Sequence, residues 1–304
     1  MLPRTVFMGS PEFSLPSLRL LAEAYPVVGV ITQPGRPAGR GRTLTHPPVK
    51  QLAFELGLPL IQPERLRHPE AMQALRDWQP DLIVVAAFGQ ILRQDVLDLP
   101  RFGCVNVHGS LLPRWRGAAP IQAAILNGDN ETGITIMRMD LGVDTGPMLS
   151  QRSILIRPDD TAGSLSQSLS ELGARLLIET LPAYLDGSLQ PQLQNEALAT
   201  YAPMLKKEAS LLDFNSPAVQ LERKVRAYNP WPGTYTLYRE KMLKIHRAHV
   251  VAGQGLTPGS HTIFQGAPAV SCAEGLLVLD EVQPAGKKSM PGKVFLQGAR
   301  EWMD

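Results

Sequence analysis

The chain has 304 residues, 44% of them hydrophobic and 19% charged, with a formal net charge of +2. Those values describe one large or two ordinary globular domains and exclude long disordered tracts. Its two cysteines, Cys104 and Cys272, lie far apart and outside any CxxC or Cys/His cluster, which excludes a disulfide scaffold and a zinc module; two reduced thiols in a cytoplasmic protein are expected.

No apolar run reaches the ~18 residues of a membrane span. The chain enters a strand within a few residues of its start, so neither a membrane partner nor a signal peptide is expected. Charge is distributed unevenly. From Lys206 onward 13 Lys/Arg face 9 Asp/Glu, against 17 and 19 in the remainder. The carboxyl third is modestly basic, a hint of a polyanionic partner.

Thr5–Met8 reads as a strand closed by Gly9-Ser10-Pro11. Ser14–Ala24 reads as a helix with Leu15, Leu18, Leu21 and Ala22 on one face, and Val27–Thr32 as a second strand. This start predicts an α/β domain with a doubly wound, mostly parallel, Rossmann-like sheet. The first turn lacks GxGxxG, so no dinucleotide is expected. Gln33–Pro48 is dominated by Gly and Pro, carries Arg36, Arg40 and Arg42, and is predicted to hold no regular structure. It is long for a βα connection, and fits either a solvated loop or an arm that grips phosphates.

Helices are predicted over Val49–Leu56 and Pro69–Trp78, with a short strand at Leu60–Ile61. Leu82–Ala86 is apolar throughout, as a parallel strand buried on both faces must be. A strand then begins at Cys104. Further on, Ala118–Leu126 and Thr161–Tyr184 read as helices, the second capped by Asp160 or Thr161, and Ile134–Met139 and Met148–Ile156 as strands. Gly187–Met204 is polar and Gln-rich and reads as a linker. A helix runs from Asn215-Ser216-Pro217 to about Ala227. The short segments Thr234–Tyr238, Met242–His249, Ala269–Cys272, Leu276–Val282 and Lys293–Phe295 then suggest a small β-barrel.

Chemistry concentrates at Cys104-Val-Asn-Val-His-Gly109. Strand side chains alternate, so Asn106 and His108 share one face, roughly 6.5–7 Å apart, and one small group fits between them. Gly109 places the pair at the strand's carboxyl end, where open α/β sheets hold their sites. A strand His with a nearby Asn is also an ordinary structural pair. Asp144, in the Gly-flanked turn Asp140-Leu-Gly-Val-Asp-Thr-Gly146, would reach the same crevice if its preceding strand neighbours Cys104–His108. Together an amide, an imidazole and a carboxylate suit acyl transfer to an amine: an oxyanion donor, a proton shuttle and an orienting charge. With no GxSxG nucleophile elbow, direct attack by the acceptor amine is favoured.

Cys104–Gln122, Gln33–Arg42, Pro80–Leu92, Ile134–Gly146 and Arg226-Ala-Tyr-Asn-Pro-Trp-Pro-Gly233 closely resemble the signatures of the methionyl-tRNA formyltransferases, and the resemblance covers almost the whole chain. The Asn-x-His…Asp set alone marks the wider group of formyltetrahydrofolate enzymes; the arginine-rich loop and basic carboxyl third narrow it. What the resemblance implies is a catalytic domain over 1–187, a linker over 188–206 and an OB-like tRNA-binding domain over 207–304. It implies formyl transfer from 10-formyltetrahydrofolate to methionyl initiator tRNA, without a metal, in a cytoplasmic monomer. Asn106 and His108 would polarise the formyl oxygen, and Asp144 would handle the proton. Ser110, Leu111, Leu112 and Pro113, with Phe88, Gln90, Ile91, Asp140 and Val143, would line the folate site, partly through backbone. Arg36, Arg40 and Arg42 would enter the tRNA acceptor end, and Lys206 and Lys207 would touch its phosphates.

The chain departs from the family pattern at Gly35, where Asp is usual, and at Pro147, where an acidic residue is usual. Enzymes of the same fold formylate an amino sugar or glycinamide ribonucleotide, or hydrolyse formyltetrahydrofolate. A hydrolase has no need of the arginine loop, and a binding protein with a dead site has no need of all three polar residues.

Overall fold

The structure is a computed structural model. It describes all residues except 39–42, 254–255, 300 and 304, and omits the side chains of 37, 38 and 43. By contacts the chain divides into two compact units: Met1–Gly117 with Thr132–Ile154 and Ser166–Tyr201, and Ala118–Glu131 with Leu155–Leu165 and Ala202–Asp304.

The first unit is built on a 7-stranded sheet. Its order is Met148–Leu155, Glu131–Arg138, Cys104–His108, Leu82–Ala86, Thr5–Gly9, Val27–Ile31, Leu60–Ile61. The four pairings from Cys104–His108 to Leu60–Ile61 are parallel. Glu131–Arg138 runs antiparallel to Cys104–His108. The chain winds outward from Thr5–Gly9 and returns beside it at Leu82–Ala86, as a doubly wound sheet requires.

Every residue of Thr5–Gly9 and Leu82–Ala86 is buried. On one face Val6, Met8, Ile31, Ile83, Val85 and Cys104 pack with Leu75 and Met72 of the helix Pro69–Asp77. Full burial of each such side chain contributes roughly 1.5–3 kcal/mol, so this face fixes the strand register. Burial also pushes the Cys104 thiol up to about 12, leaving it protonated and inert. On the opposite side of strand Cys104–His108, a Cβ at Gly173 would sit 2.7 Å from Val107 Cγ1, so helix Ala162–Leu185 approaches that strand closely. Thr161 caps the helix: its Oγ1 accepts from Ser164 N–H at 3.2 Å, and Ser164 Oγ accepts from Thr161 N–H at 3.1 Å.

One expectation for this region changes. Arg36–Ala38 pairs with Thr43–Thr45 as a short antiparallel ribbon, so the arginine loop is not wholly irregular. A two-stranded edge tolerates Pro37 because its missing N–H can face solvent. Arg40 and Arg42 lie outside the described residues. At Gly35, a Cβ would meet His46 Nδ1 at 2.9 Å, so a larger residue there would require the His46 ring to shift.

The second unit carries a 6-stranded antiparallel sheet ordered Thr234–Tyr238, Lys241–Val251, Leu276–Pro284, Ala267–Ser271, His261–Phe264, with Met290–Pro291 paired on Leu276–Pro284. Among the described residues this sheet is an open path, with no pairing that joins its two ends. Leu221 and Val225 of helix Ala218–Ala227 pack on it. Helix Pro120–Asn127 ends at Gly128, whose φ of 69° is the left-handed C-cap.

The expected strand at Lys293–Phe295 is instead the helix Gly292–Gly298. The three residues are too few to show their period. The buried residues within the helix, Gly292 and Phe295, are three apart, which is helical spacing. Strand His261–Phe264 was not expected. There the His261 ring stacks on Trp302 at 4.0 Å and 8°, and Trp302 Nε1 donates to the Thr262 carbonyl at 2.8 Å.

Burial holds the His261 pKa below its ordinary value. The unfolded chain therefore takes up this proton first, near pH ~6.5, and stability drops as pH falls through the interval below that value. Urea unfolding between pH 7.5 and 5 should show a steeper loss in the wild-type chain than in His261→Phe, with equal stability changes above pH 7. Parallel pH curves for the two would refute the assignment.

Candidate active site

The site is assembled at the carboxyl end of Cys104–His108, one strand from the point where the sheet order reverses. Strand parity turns Val105 and Val107 into the packing of the unit, and both are buried. Asn106, half-buried, and His108, buried, point to the other face.

Asp144 joins them, by a route the strand order alone does not show. Glu131–Arg138 pairs Met137 with Asn106 and Thr135 with His108. Its Arg138 end thus lies beside Val105, away from the crevice. The chain then doubles back. Arg138 N–H donates to the Pro147 carbonyl at 2.9 Å, and a Cβ at Gly146 would run into the Arg138 carbonyl oxygen, so only Gly fits that return. Asp140 Oδ1 braces the turn by accepting from Gly142 N–H at 3.0 Å and Thr145 Oγ1 at 2.6 Å. Asp144 adopts a left-handed φ of 55°.

In that conformation the Asp144 carboxylate meets three groups. Oδ2 accepts from Gly117 N–H at 2.8 Å. Oδ1 accepts from Asn106 Nδ2 at 3.4 Å and lies 3.5 Å from His108 Nδ1. His108 Nε2 is 3.0 Å from the Trp115 carbonyl oxygen. A carbonyl only accepts, so Nε2 carries a hydrogen and Nδ1 is the ring atom turned towards Asp144. Asn106 has a second amide hydrogen with no acceptor among the described residues, available to an oxygen in the crevice.

The loop after the strand is shaped by Thr135. Its hydroxyl donates to the Ser110 carbonyl at 2.7 Å and accepts from Leu112 N–H at 3.0 Å. Gln151 Nε2 donates to the Leu112 carbonyl at 2.8 Å. Ser110 Oγ is itself engaged, with the Arg114 carbonyl at 2.6 Å. Ser110 and Leu112 are buried, and Leu111 and Pro113 half-buried.

The other expected lining residues divide in two. Phe88 is buried in the core, so only its backbone can face a ligand, and its carbonyl accepts from Gln33 Nε2 at 3.2 Å. The Gln90 side chain ties down the neighbouring turn, donating to the Pro63 carbonyl at 3.3 Å and accepting from Leu66 N–H at 2.8 Å. Ile91, Leu141 and Val143 are exposed at 79%, 62% and 55%. Apolar side chains held in water at loop tips mark a contact surface. A shallow cleft lined by Leu97, Gly103, Arg138, Met139, Asp140 and Leu141 lies at the Arg138 end of strand Glu131–Arg138, away from the crevice.

Arg36 is exposed on its ribbon. Lys206 and Lys207 are exposed at the head of the 3-10 turn Lys207–Ser210, in the second unit. The sequence reading did not single out Gly117, Trp115, Thr135 or Gln194. Backbone donors and acceptors carry no sequence signal, and Thr135 is recognisable only once its strand is paired beside His108. Among the described residues no group of three or more His, Cys, Asp or Glu could hold a metal ion.

The geometry fixes the imidazole tautomer. Long-range nitrogen–proton NMR of the uncharged His108 ring should show hydrogen on Nε2, both in the wild-type chain and in Asp144→Ala. A dominant Nδ1–H form would contradict the Trp115 contact.

Comparison with known proteins matches residues 14–181 to the formyl transferase family and residues 204–300 to the formyl transferase carboxyl-terminal domain. The methionyl-tRNA formyltransferase of Myxococcus xanthus is 51% identical over 299 residues, covering 97% of this chain and 95% of that protein. Among solved structures, the methionyl-tRNA formyltransferase from Clostridium thermocellum has a TM-score of 0.58 at 16% identity, covering 93% of this chain and 99% of that one. HypX from Aquifex aeolicus in complex with tetrahydrofolic acid has a TM-score of 0.63 at 18% identity, covering 97% of this chain and 47% of that one. These two structural likenesses are likenesses of fold.

Proposed function

The chain belongs to the formyl transferase family, and we propose that its first unit moves the formyl group of 10-formyltetrahydrofolate to the amino group of methionyl initiator tRNA. The observation that carries this reading is the convergence of Asn106 and His108 on a single oxygen of Asp144, at the open end of the catalytic strand. Relatives that share nearly the whole length of the chain and carry this activity in their names support it.

The reaction needs two things that these groups supply, a donor for the oxyanion and an acceptor for a proton. The second Asn106 N–H donates to the formyl oxygen and strengthens its hold as that oxygen becomes an alkoxide. The free amine attacks the formyl carbon, forming a C–N bond. The resulting ammonium gives up a proton to Asp144 or to Nδ1 of His108, the shared path across the 3.5 Å contact. Collapse of the tetrahedral intermediate breaks the bond to N10 of the folate, which takes a proton back. No covalent enzyme intermediate and no metal enters this scheme.

Ser110, Leu111, Leu112 and Pro113, the backbone at Phe88, Gln90 and Ile91, and the turn holding Asp140 and Val143 are read as the folate surface. The exposed apolar side chains of Ile91 and Val143 support that reading. Arg36, Arg40 and Arg42 are read as the arm that meets the tRNA acceptor end, and Lys206 and Lys207 as phosphate contacts. The division into a catalytic region over 1–187, a connecting segment over 188–206 and an OB-like tRNA-binding region over 207–304 belongs to the same reading. So do monomeric working and a cytoplasmic location. Among the described residues no helix is long and apolar enough to cross a membrane.

Incubation with 10-formyltetrahydrofolate and charged initiator tRNA should yield formylmethionyl-tRNA, and formate release without the tRNA should be slow. Rapid formate release with no formylmethionine would favour a hydrolase. Asn106→Ala is expected to lower kcat by about 10²–10³-fold, and His108→Ala by about 10²–10⁴-fold, each with tRNA affinity kept. Full activity in both variants would sink the site assignment.

Binding of the tRNA should weaken steeply with salt, as counterion release from phosphates dictates. Arg40→Ala should reduce the slope of log Kd against log salt by about one and leave folate affinity intact. An equal defect in folate binding would remove the arm from the tRNA.

A further inference from the structure

We propose that Gln194 is a positioning residue for the reaction, clamping the turn that presents Asp144, and that buried Arg116 sets Gln194 in place. The proposal rests on the formyl-transfer reading only for its kinetic consequence; the clamp itself is a matter of geometry. Gln194 lies in the Gln-rich stretch that reads as a linker by composition, and it meets Asp144 only at the backbone carbonyl.

The side-chain amide of Gln194 is fully used. Its Nε2 donates to the Asp144 carbonyl at 2.8 Å and to the Gly146 carbonyl at 2.7 Å. Its Oε1 accepts from Arg116 Nε at 3.0 Å and from a terminal nitrogen of the same guanidinium at 2.8 Å. Two donors and one twice-used acceptor exhaust what a carboxamide offers in one plane. Pinning two carbonyls on either side of Thr145 fixes the peptide planes that follow Asp144. That matters because Asp144 holds a left-handed φ of 55°, which a non-glycine residue keeps only when its surroundings over-determine it.

Arg116 completes the device. Its side chain is 0% exposed, and its guanidinium also donates to Glu196, at 2.7 and 2.8 Å, and hydrogen-bonds Tyr201. The hydrogen bond to Glu196 holds the Arg116 pKa above its ordinary value. The next residue, Gly117, donates its N–H to Asp144 Oδ2. The Arg116–Gly117 step therefore holds the carboxylate directly and the backbone of the same residue through Gln194. Outside this clamp, Asp140 bonds only the far side of the turn, at Gly142 and Thr145.

Gln194→Glu tests the clamp with least disturbance, since it keeps an acceptor for Arg116 and removes both donors to the turn. The variant should lose kcat by on the order of 10–100-fold, with KM for folate and for tRNA kept. Adding Gln194→Glu to Asp144→Asn should change kcat by less than about twofold, because a residue that acts through Asp144 has nothing left to position. Losses that multiply in the double variant, or an unchanged kcat in the single one, would overturn the positioning role. Hydrogen exchange of amides 142–147 should rise about tenfold or more in Gln194→Glu, with the strand 82–86 unchanged. No rise would overturn the clamp itself. If the unsubstituted chain transfers no formyl group, the functional reading fails while the exchange measurement still decides the clamp.

Discussion

A carboxylate inside a crevice must be met by donors, and the whole first unit is arranged so that Asp144 is met. One oxygen takes the Gly117 N–H, and the other is shared by the Asn106 amide and the His108 ring. Each of these arrives from a different piece of chain, so their agreement constrains all of them. Strand parity must place Asn106 and His108 on one face, the pairing must bring Thr135 opposite His108, and the return through Gly146 must be tight. Shifting the catalytic strand by one residue would exchange Asn106 and His108 for Val105 and Val107.

Magnitudes rank the ion pairs that accompany this arrangement. Arg152–Glu179 is exposed on both sides, so water and salt screen it and it contributes little. Arg116 is different. Its guanidinium is fully buried, and removing the partners of a buried charge costs about 3–5 kcal/mol. Glu196 remains open to water, so the pair is buried on one side only. A guanidinium rather than an ammonium suits the place, because its planar fork serves Gln194 and Glu196 together. The second unit has no comparable buried charge among its described residues. It is held by the aliphatic contacts of Leu221, Val225, Leu277 and Leu279 and by the aromatic group around Trp302.

The sheet was legible because buried parallel strands are uniform: Thr5–Gly9 and Leu82–Ala86 have nothing but apolar or small residues to show. Asn106 and His108 were legible as a polar interruption at regular spacing, and Asp144 through the glycines around it. Three kinds of feature were not. Gly292–Gly298 hid its helical period in a segment too short to repeat, and Arg36–Ala38 formed a ribbon despite Pro37. The groups that hold Asp144 are partly backbone, at Trp115 and Gly117, and backbone is the same in every sequence. Gln194 sits among other glutamines, and nothing local separates the one that clamps from those that do not. Its role depends on an arginine 78 residues earlier.

That separation bears on the order in which the site comes together. Asn106, His108 and Asp144 leave the ribosome within one stretch, and the sheet strands that carry them are complete by Leu155. The Gln194 amide arrives 50 residues after the Asp144 backbone it holds. Closing a loop of that length is entropically slow compared with pairing neighbouring strands. The arrangement around Asp144 is complete only once the segment beyond the long helix lies against Arg116, so its last element to be synthesised is Gln194.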